Sequence, residues 1–170
     1  MVVLAATALA GCRVSDSSGN APANEAAPAD SQAAQLSLTR LDCGTATIKN
    51  FDAFFSDRPG VYEAKPREIT DSCYLIRNGD QAMIWDTGFA ADLKGQERDM
   101  GQLVARLSAT LVEQLQQLGL KPEDVDIVGI SHFHPDHTGQ AAEFPNATLL
   151  VGQRDFSIAG EDNDPFGPWR

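Results

Sequence analysis

Positive charge is scarce in this sequence: 13 Lys and Arg stand against 24 Asp and Glu, a formal net charge of −11. Nucleic acids are held largely by Lys and Arg that neutralise phosphates, so no nucleic-acid partner is expected. A polybasic membrane patch is excluded on the same ground. Extended apolar runs are also missing. The stretch from Met1 to Ala10 (MVVLAATALA) falls well short of the roughly 20 residues that a membrane-spanning helix needs. No segment repeats. Histidine and cysteine are rare, three of each, so where they fall carries information. With 42% hydrophobic and 22% charged residues, the 170-residue chain has the composition of a soluble globular protein, with room for a short tail and one domain.

The N-terminal run fits the apolar region of a secretory signal. It ends in Leu9-Ala10-Gly11-Cys12, which resembles the lipobox of bacterial lipoproteins, where the Cys is lipid-modified and becomes the mature N-terminus. No Lys or Arg precedes the run, so the true start of the signal is expected upstream. Residues 13–35 are dominated by Ser, Ala, Pro, Asn and Asp and cannot bury enough surface to offset their ordering entropy. We read residues 1–12 as a lipoprotein signal, 13–35 as a disordered tether and 36–170 as the folded domain. Arg13, where some lipoproteins carry an Asp retention signal, points by resemblance to the outer membrane. The expected location is the cell envelope, with the domain facing the periplasm or anchored at the outer membrane through Cys12.

Order is expected to begin near Leu36, with LSLTRLDCG as a first strand. The stretch from Asn50 to Arg67 is rich in turn formers and aromatics and reads as a long loop, a type more often functional than idle. Two β-rich runs, Cys73–Arg77 and Gln81–Trp85, flank Asn78-Gly79-Asp80 and predict a hairpin. Leu111, Leu115 and Leu118 recur at helical spacing, Thr110 with Glu113 forms a capping box, and Gly119 is a natural stop. Val125–Ile130 and Thr148–Val151 read as further strands. The succession of strand, hairpin, helix, strand, loop, helix and strand is an α/β layered domain.

All three histidines fall within Ser131-His132-Phe133-His134-Pro135-Asp136-His137-Thr138-Gly139, at the end of an apolar strand and beside an acid. Imidazole nitrogen and carboxylate oxygen are the donors that zinc and similar ions accept, and iron and manganese also tolerate such a set. His132 and His134 can point two rings into one site, while Asp136 and His137 sit one turn further on, placed for a second. Ser131 has no histidine left over to serve as its base and reads as a backbone-capping residue rather than a nucleophile.

HFHPDH matches the HxHxDH signature of the metallo-β-lactamase superfamily, and Asp86-Thr87-Gly88 after a hairpin strand resembles its Asp-Thr-Gly element. The resemblance spans Leu36 to Phe156. Within the superfamily, LDCG, the aromatic loop, CYLIRNGD, WDTGF and AAEFPNATLLVGQRDF look most like the N-acyl homoserine lactonase group. The resemblance implies the N-terminal half of an αβ/βα sandwich and two divalent metal ions, zinc by analogy. His132 and His134 would bind the first, Asp136 and His137 the second. A water activated by the two ions would attack the carbonyl of a lactone or related ester, and Asp136 would orient it or shuttle its proton. Asp86 would hold a ligand or its loop by a hydrogen bond. Phe54, Phe55 and Tyr62 could line an acyl pocket or simply pack.

The same scaffold hosts thioesterases, β-lactamases and phosphodiesterases, so these substrates remain alternatives. A non-catalytic, metal-binding surface lipoprotein is another. The resemblance also implies a further His on each metal and a bridging Asp. No His follows His137, and the contexts of Asp155, Asp162 and Asp164 do not match the bridging position. A fragment of a longer enzyme, with little activity alone, is therefore expected. With Cys12 taken by lipid, Cys43 and Cys73 remain. In an oxidising compartment they either form a disulfide between first strand and hairpin or stay as two buried thiols.

Overall fold

The hairpin around Asn78-Gly79-Asp80 lies inside a seven-stranded mixed sheet in the computed structural model, which describes residues 35–158. The expected signal with Cys12, tether residues 13–34, Asp162 and Asp164 lie outside the described residues. In chain order the strands are β1 (Leu36–Ile48), β2 (Arg67–Asn78), β3 (Gln81–Trp85), β4 (Glu97–Asp99), β5 (Leu103–Arg106), β6 (Ile127–Ile130) and β7 (Thr148–Val151). Their spatial order is β4-β5-β1-β2-β3-β6-β7. The β1–β2 and β2–β3 pairs are antiparallel, and β3–β6 and β6–β7 are parallel. The helices are α1 (Phe51–Phe55), α2 (Leu111–Gln117), α3 (Pro135–Thr138) and α4 (Gln153–Ile158).

Local chemistry explains most of these boundaries. Thr110 Oγ1 accepts from Glu113 N, and Glu113 reaches back to the Thr110 amide, so α2 starts with the expected capping box. Its Leu111 and Leu115 are fully buried, each contributing about 2 kcal/mol of apolar burial. The expected loop over 50–67 instead contains α1, capped by the Asn50 side chain accepting from Ala53 N at 3.0 Å. The structure also adds β4 and β5, which the sequence reading did not contain. β4 is Glu97-Arg98-Asp99, fully exposed, with no apolar alternation to mark it as a strand.

Alternation along the strands divides the sheet into two faces. Leu41, Cys73, Leu75, Ile84, Val128 and Ile130 turn inward and pack with Leu111, Leu115 and Phe144. A second cluster, Ala46, Ile48, Phe89, Leu93, Ala105 and Leu107, fills the space near β5. On the other face the register sets Leu38 beside Ile76, Ile76 beside Met83, and Met83 beside Ile127. Cys43 on β1 and Cys73 on β2 are joined by a disulfide, their Cα atoms 5.7 Å apart. β3 runs directly into the turn at 86–88, and β6 runs directly into the histidine segment. The parallel β3–β6 pairing places the two strand ends side by side.

Candidate metal centre

Parallel strands that end together present their following loops together, and here those loops are Asp86-Thr87-Gly88 and Ser131–His137. The chain is locked between them by backbone bonds. Thr87 N donates to the His137 carbonyl at 2.7 Å, and Gly139 N donates to the Gly88 carbonyl at 2.8 Å. Two glycines make this approach possible. Gly88 has φ of 64°, and a Cβ there would lie 2.6 Å from Cβ of Cys43. A Cβ on Gly139 would fall 2.6 Å from the Gly88 carbonyl oxygen and against the Ala90 amide. Gln140, 1% exposed, completes the junction: its Nε2 donates to the Thr87 and Phe89 carbonyls, and its Oε1 accepts from Leu111 N.

Asp86 is the hub. Its Oδ1 accepts from Ser131 N at 2.7 Å, and its Oδ2 lies 2.9 Å from Nδ1 of His137. Ser131 Oγ sits 3.1 Å from Nδ1 of His132 and 3.3 Å from Nδ1 of His137. These contacts leave Nε2 of His132 and Nε2 of His137 facing the interior of the cluster. The structure thus brings His132, His134, His137, Asp136, Asp86 and Ser131 together, with the His132 ring centroid 4.6 Å from that of His134 and 4.1 Å from that of His137.

Two donor pairs emerge. Nε2 of His132 is 3.0 Å from Nδ1 of His134, and Nε2 of His137 is 3.6 Å from Oδ2 of Asp136. Two nitrogens at about 2.0–2.1 Å from one tetrahedral ion lie about 3.3 Å apart. Each pair therefore has the donor chemistry and spacing to occupy two positions on one divalent ion. Among the described residues no group of three or more His, Cys, Asp or Glu is arranged to hold a metal, so each pair is a two-donor half-site.

The electrostatics suit a cation. The hydrogen bond to Asp86 raises the His137 pKa above its ordinary 6.5 against the effect of burial. Burial works to raise Asp86, and the hydrogen bonds from His137 and Ser131 outweigh it, holding the carboxyl below its ordinary value. Burial and then the neighbouring imidazoles lower the His132 pKa, which favours the neutral form that can donate a lone pair.

Beside the pairs lies a cavity of about 570 Å³ lined by Ala46, Ile48, Phe54, Phe55, Ile69 and Leu103 as well as His134, Asp136 and His137. Phe54 and Phe55 are presented by α1. Tyr62 does not reach the cavity and packs edge-on against Phe51, with centroids 5.3 Å apart. The loop carrying these rings is organised by the buried Asp52, which accepts from Gly60 N, Tyr62 N and Ser56 Oγ. The Gly60 amide, then the Ser56 hydroxyl, then the Tyr62 amide lower its pKa to about 2. A larger cavity of about 680 Å³ lies past Pro135 and holds none of the imidazoles.

Of three further residues near the centre, Asp155 was set aside in the sequence as a bridging ligand, while Gln140 and Asp71 escaped the sequence reading. Asp155 does not join the donor pairs; its Oδ1 accepts from Phe133 N at 3.2 Å and pins the histidine loop to α4. Gln140 is a polar residue buried by tertiary contact, for which the sequence carries no signal. Asp71 occupies an inward position on β2, in phase with Ile69, Cys73 and Leu75, and that phase was the available signal.

Comparison with known proteins agrees with this geometry. Residues 68–151 match the family profile of the metallo-beta-lactamase superfamily. The chain is similar to N-acyl homoserine lactonase AiiB of Agrobacterium fabrum, 30% identical over 144 residues, covering 74% of this chain and 52% of that protein. It is also similar to N-acyl homoserine lactonase AttM of Azorhizobium caulinodans, 35% identical over 99 residues, covering 54% of this chain and 38% of the other. A solved structure of a quorum-quenching N-acyl homoserine lactone hydrolase superposes with a TM-score of 0.63 at 20% identity, covering 78% of this chain and 52% of its own. The chain thus spans about half the length of the relatives it matches over most of its folded part. With the mixed sheet, the strand-end histidine loop and the profile match in agreement, residues 68–151 form a domain of the metallo-β-lactamase superfamily.

Proposed function

We propose that this protein is a metal-dependent hydrolase of lactones and related esters, of the N-acyl homoserine lactone type. The observation that carries the reading is the meeting of two donor pairs with an apolar cavity of about 570 Å³ at one strand end. His132 and His134 would hold one divalent ion, zinc by analogy, and Asp136 and His137 a second. Bound there, such ions supply Lewis acidity and bring a coordinated water toward ionisation at neutral pH.

The chain's own groups do the rest. Asp86 accepts the Nδ1 proton of His137 and so directs the Nε2 lone pair to the centre. Asp136, 40% exposed beside Nε2 of His137, is placed to orient an attacking water and hold its proton. Hydrolysis adds that water across the ester: the acyl C–O bond breaks, and the proton passes to the departing alkoxide. The product acid ionises and releases one proton at neutral pH. Phe54, Phe55, Ile48 and Leu103 give the acyl chain an apolar wall.

Proton release from an N-acyl homoserine lactone, followed by pH-stat before chelation, after it and after zinc is restored, tests the reading. Loss on chelation, recovery with zinc and a fall in His132→Ala support it; hydrolysis indifferent to chelator contradicts it. Because each pair supplies two donors, turnover by the 170-residue chain alone is expected to be slow. Faster cleavage of a thioester, β-lactam or phosphodiester would move the substrate class.

The same two-donor geometry favours a second reading, a non-catalytic cation-binding protein. Tight binding without turnover on any of these substrates would select it. A cell-envelope location, with anchorage through Cys12, completes the proposal. The Cys43–Cys73 disulfide supports it, since such bonds persist in oxidising compartments. Incorporation of labelled palmitate into the native protein, lost in Cys12→Ala, tests the anchor.

A further inference from the structure

Asp71 is an acid on the inward face of β2, between Ile69, which lines the cavity beside the histidines, and Cys73, which is fully buried in the core. Its Oδ2 is shielded from solvent and has no hydrogen-bond partner. The contrast with Asp52 is direct, since that carboxylate is fully used to organise a loop. An unpartnered buried carboxylate oxygen is costly to the fold and calls for an explanation outside it.

The groups in electrostatic reach of Asp71 supply one. They are His137 and Asp136 on α3 and Asp86 after β3, while β1 faces it with Gly44, which carries no charge. Three carboxyls around one imidazole repel one another in the absence of a cation. A divalent ion at the Asp136–His137 pair turns that repulsion into attraction. We propose that Asp71 is a positioning residue of the cation centre, its unpartnered oxygen and its charge strengthening divalent-ion binding at the Asp136–His137 pair. The inference rests on the reading of that pair as a cation site. Asp71 acts on the ion by field and through water rather than by closing a three-donor group.

The test is zinc affinity of the full chain, measured by competition with a chromophoric chelator, for the unaltered protein, Asp71→Asn, Asp71→Val and His137→Ala. Both Asp71 variants should bind zinc about tenfold more weakly. Their chelated forms should melt at or above the temperature of the unaltered protein, because an acid with one shielded, unpartnered oxygen has been removed. Unchanged affinity in both variants, with His137→Ala impaired, overturns the role of Asp71 and leaves the centre standing. Weaker binding together with a lower melting point in both variants is what a structural acid gives, and also overturns it. Absence of zinc binding by the unaltered protein overturns the centre and this inference together.

Discussion

One carboxylate ties both ends of the histidine loop: Asp86 accepts the Ser131 amide at 2.7 Å through Oδ1 and lies 2.9 Å from Nδ1 of His137 through Oδ2. Asp86 holds this position at φ of 58°, the left-handed region that Asp and Asn tolerate better than most residues. Asp86→Asn keeps the backbone conformation but has a single acceptor oxygen, so either the Ser131 amide or the Nδ1 proton of His137 loses its acceptor. We expect cation affinity to fall about 10- to 100-fold and stability by about 1–3 kcal/mol. Calorimetric zinc titration paired with thermal melts checks both, and unchanged affinity would contradict the assignment.

The chelated protein should lose stability as pH rises through neutrality. Burial first, then Asp136 and Asp86, push Asp71 from 3.8 to about 7, with His137 opposing. Its ionisation therefore costs the folded state more than the unfolded chain, and stability drains away from about pH 4 to about pH 7. His137, raised by Asp86, contributes fully below its ordinary 6.5, and that contribution is lost as pH climbs through its folded value. Asp86, held low, acts in the opposite sense, with stability present above 3.8 and lost in stronger acid. Melts of chelated protein should peak in mild acid and decline toward pH 8, and Asp71→Asn should flatten the decline. Saturating zinc should reverse the trend, because its ligands must be deprotonated. A chelated protein whose melting point climbs from pH 5 to 8 would contradict this.

The disulfide braces the floor of the centre as well as the fold. Cys43 and Cys73 are 30 residues apart, and Gly88 of the Asp86-Thr87-Gly88 turn packs directly on Cys43. Closing a loop of that length is worth about 3–4 kcal/mol. Reductant should lower the melting point accordingly and weaken zinc binding with it. Equal thiol counts in denatured protein with and without reductant would show that the bond does not form.

Gln140→Leu should be nearly as damaging as a core truncation. It leaves the Leu111 amide and the Thr87 and Phe89 carbonyls without their side-chain partner in a buried junction. A loss of about 2–4 kcal/mol is expected in denaturant titration. A loss no larger than that of a surface substitution would mean that water replaces the amide.

The hairpin, the capping box of α2, the strand at Thr148–Val151 and the clustering of every histidine were legible because each is written in neighbouring residues. α1, β4 and β5 were not. α1 is a single short turn of helix set by the Asn50 cap, and β4 gains its strand form only by pairing with β5. At the site, the histidine motif announces itself, whereas Gln140 and Asp71 matter through what the fold sets against them. Asp71 differs from an ordinary strand acid only in its inward phase.

The central claim is that the segment from His132 to His137 binds divalent cations, and the chain offers an unusually clean probe of it. All three of its histidines lie in that segment, so ¹⁵N-histidine labelling reports the centre and nothing else. On titrating zinc into chelated protein, the ring-nitrogen resonances of His132, His134 and His137 should all shift, saturating at stoichiometric metal. Imidazole resonances that stay in place at stoichiometric zinc would contradict the account.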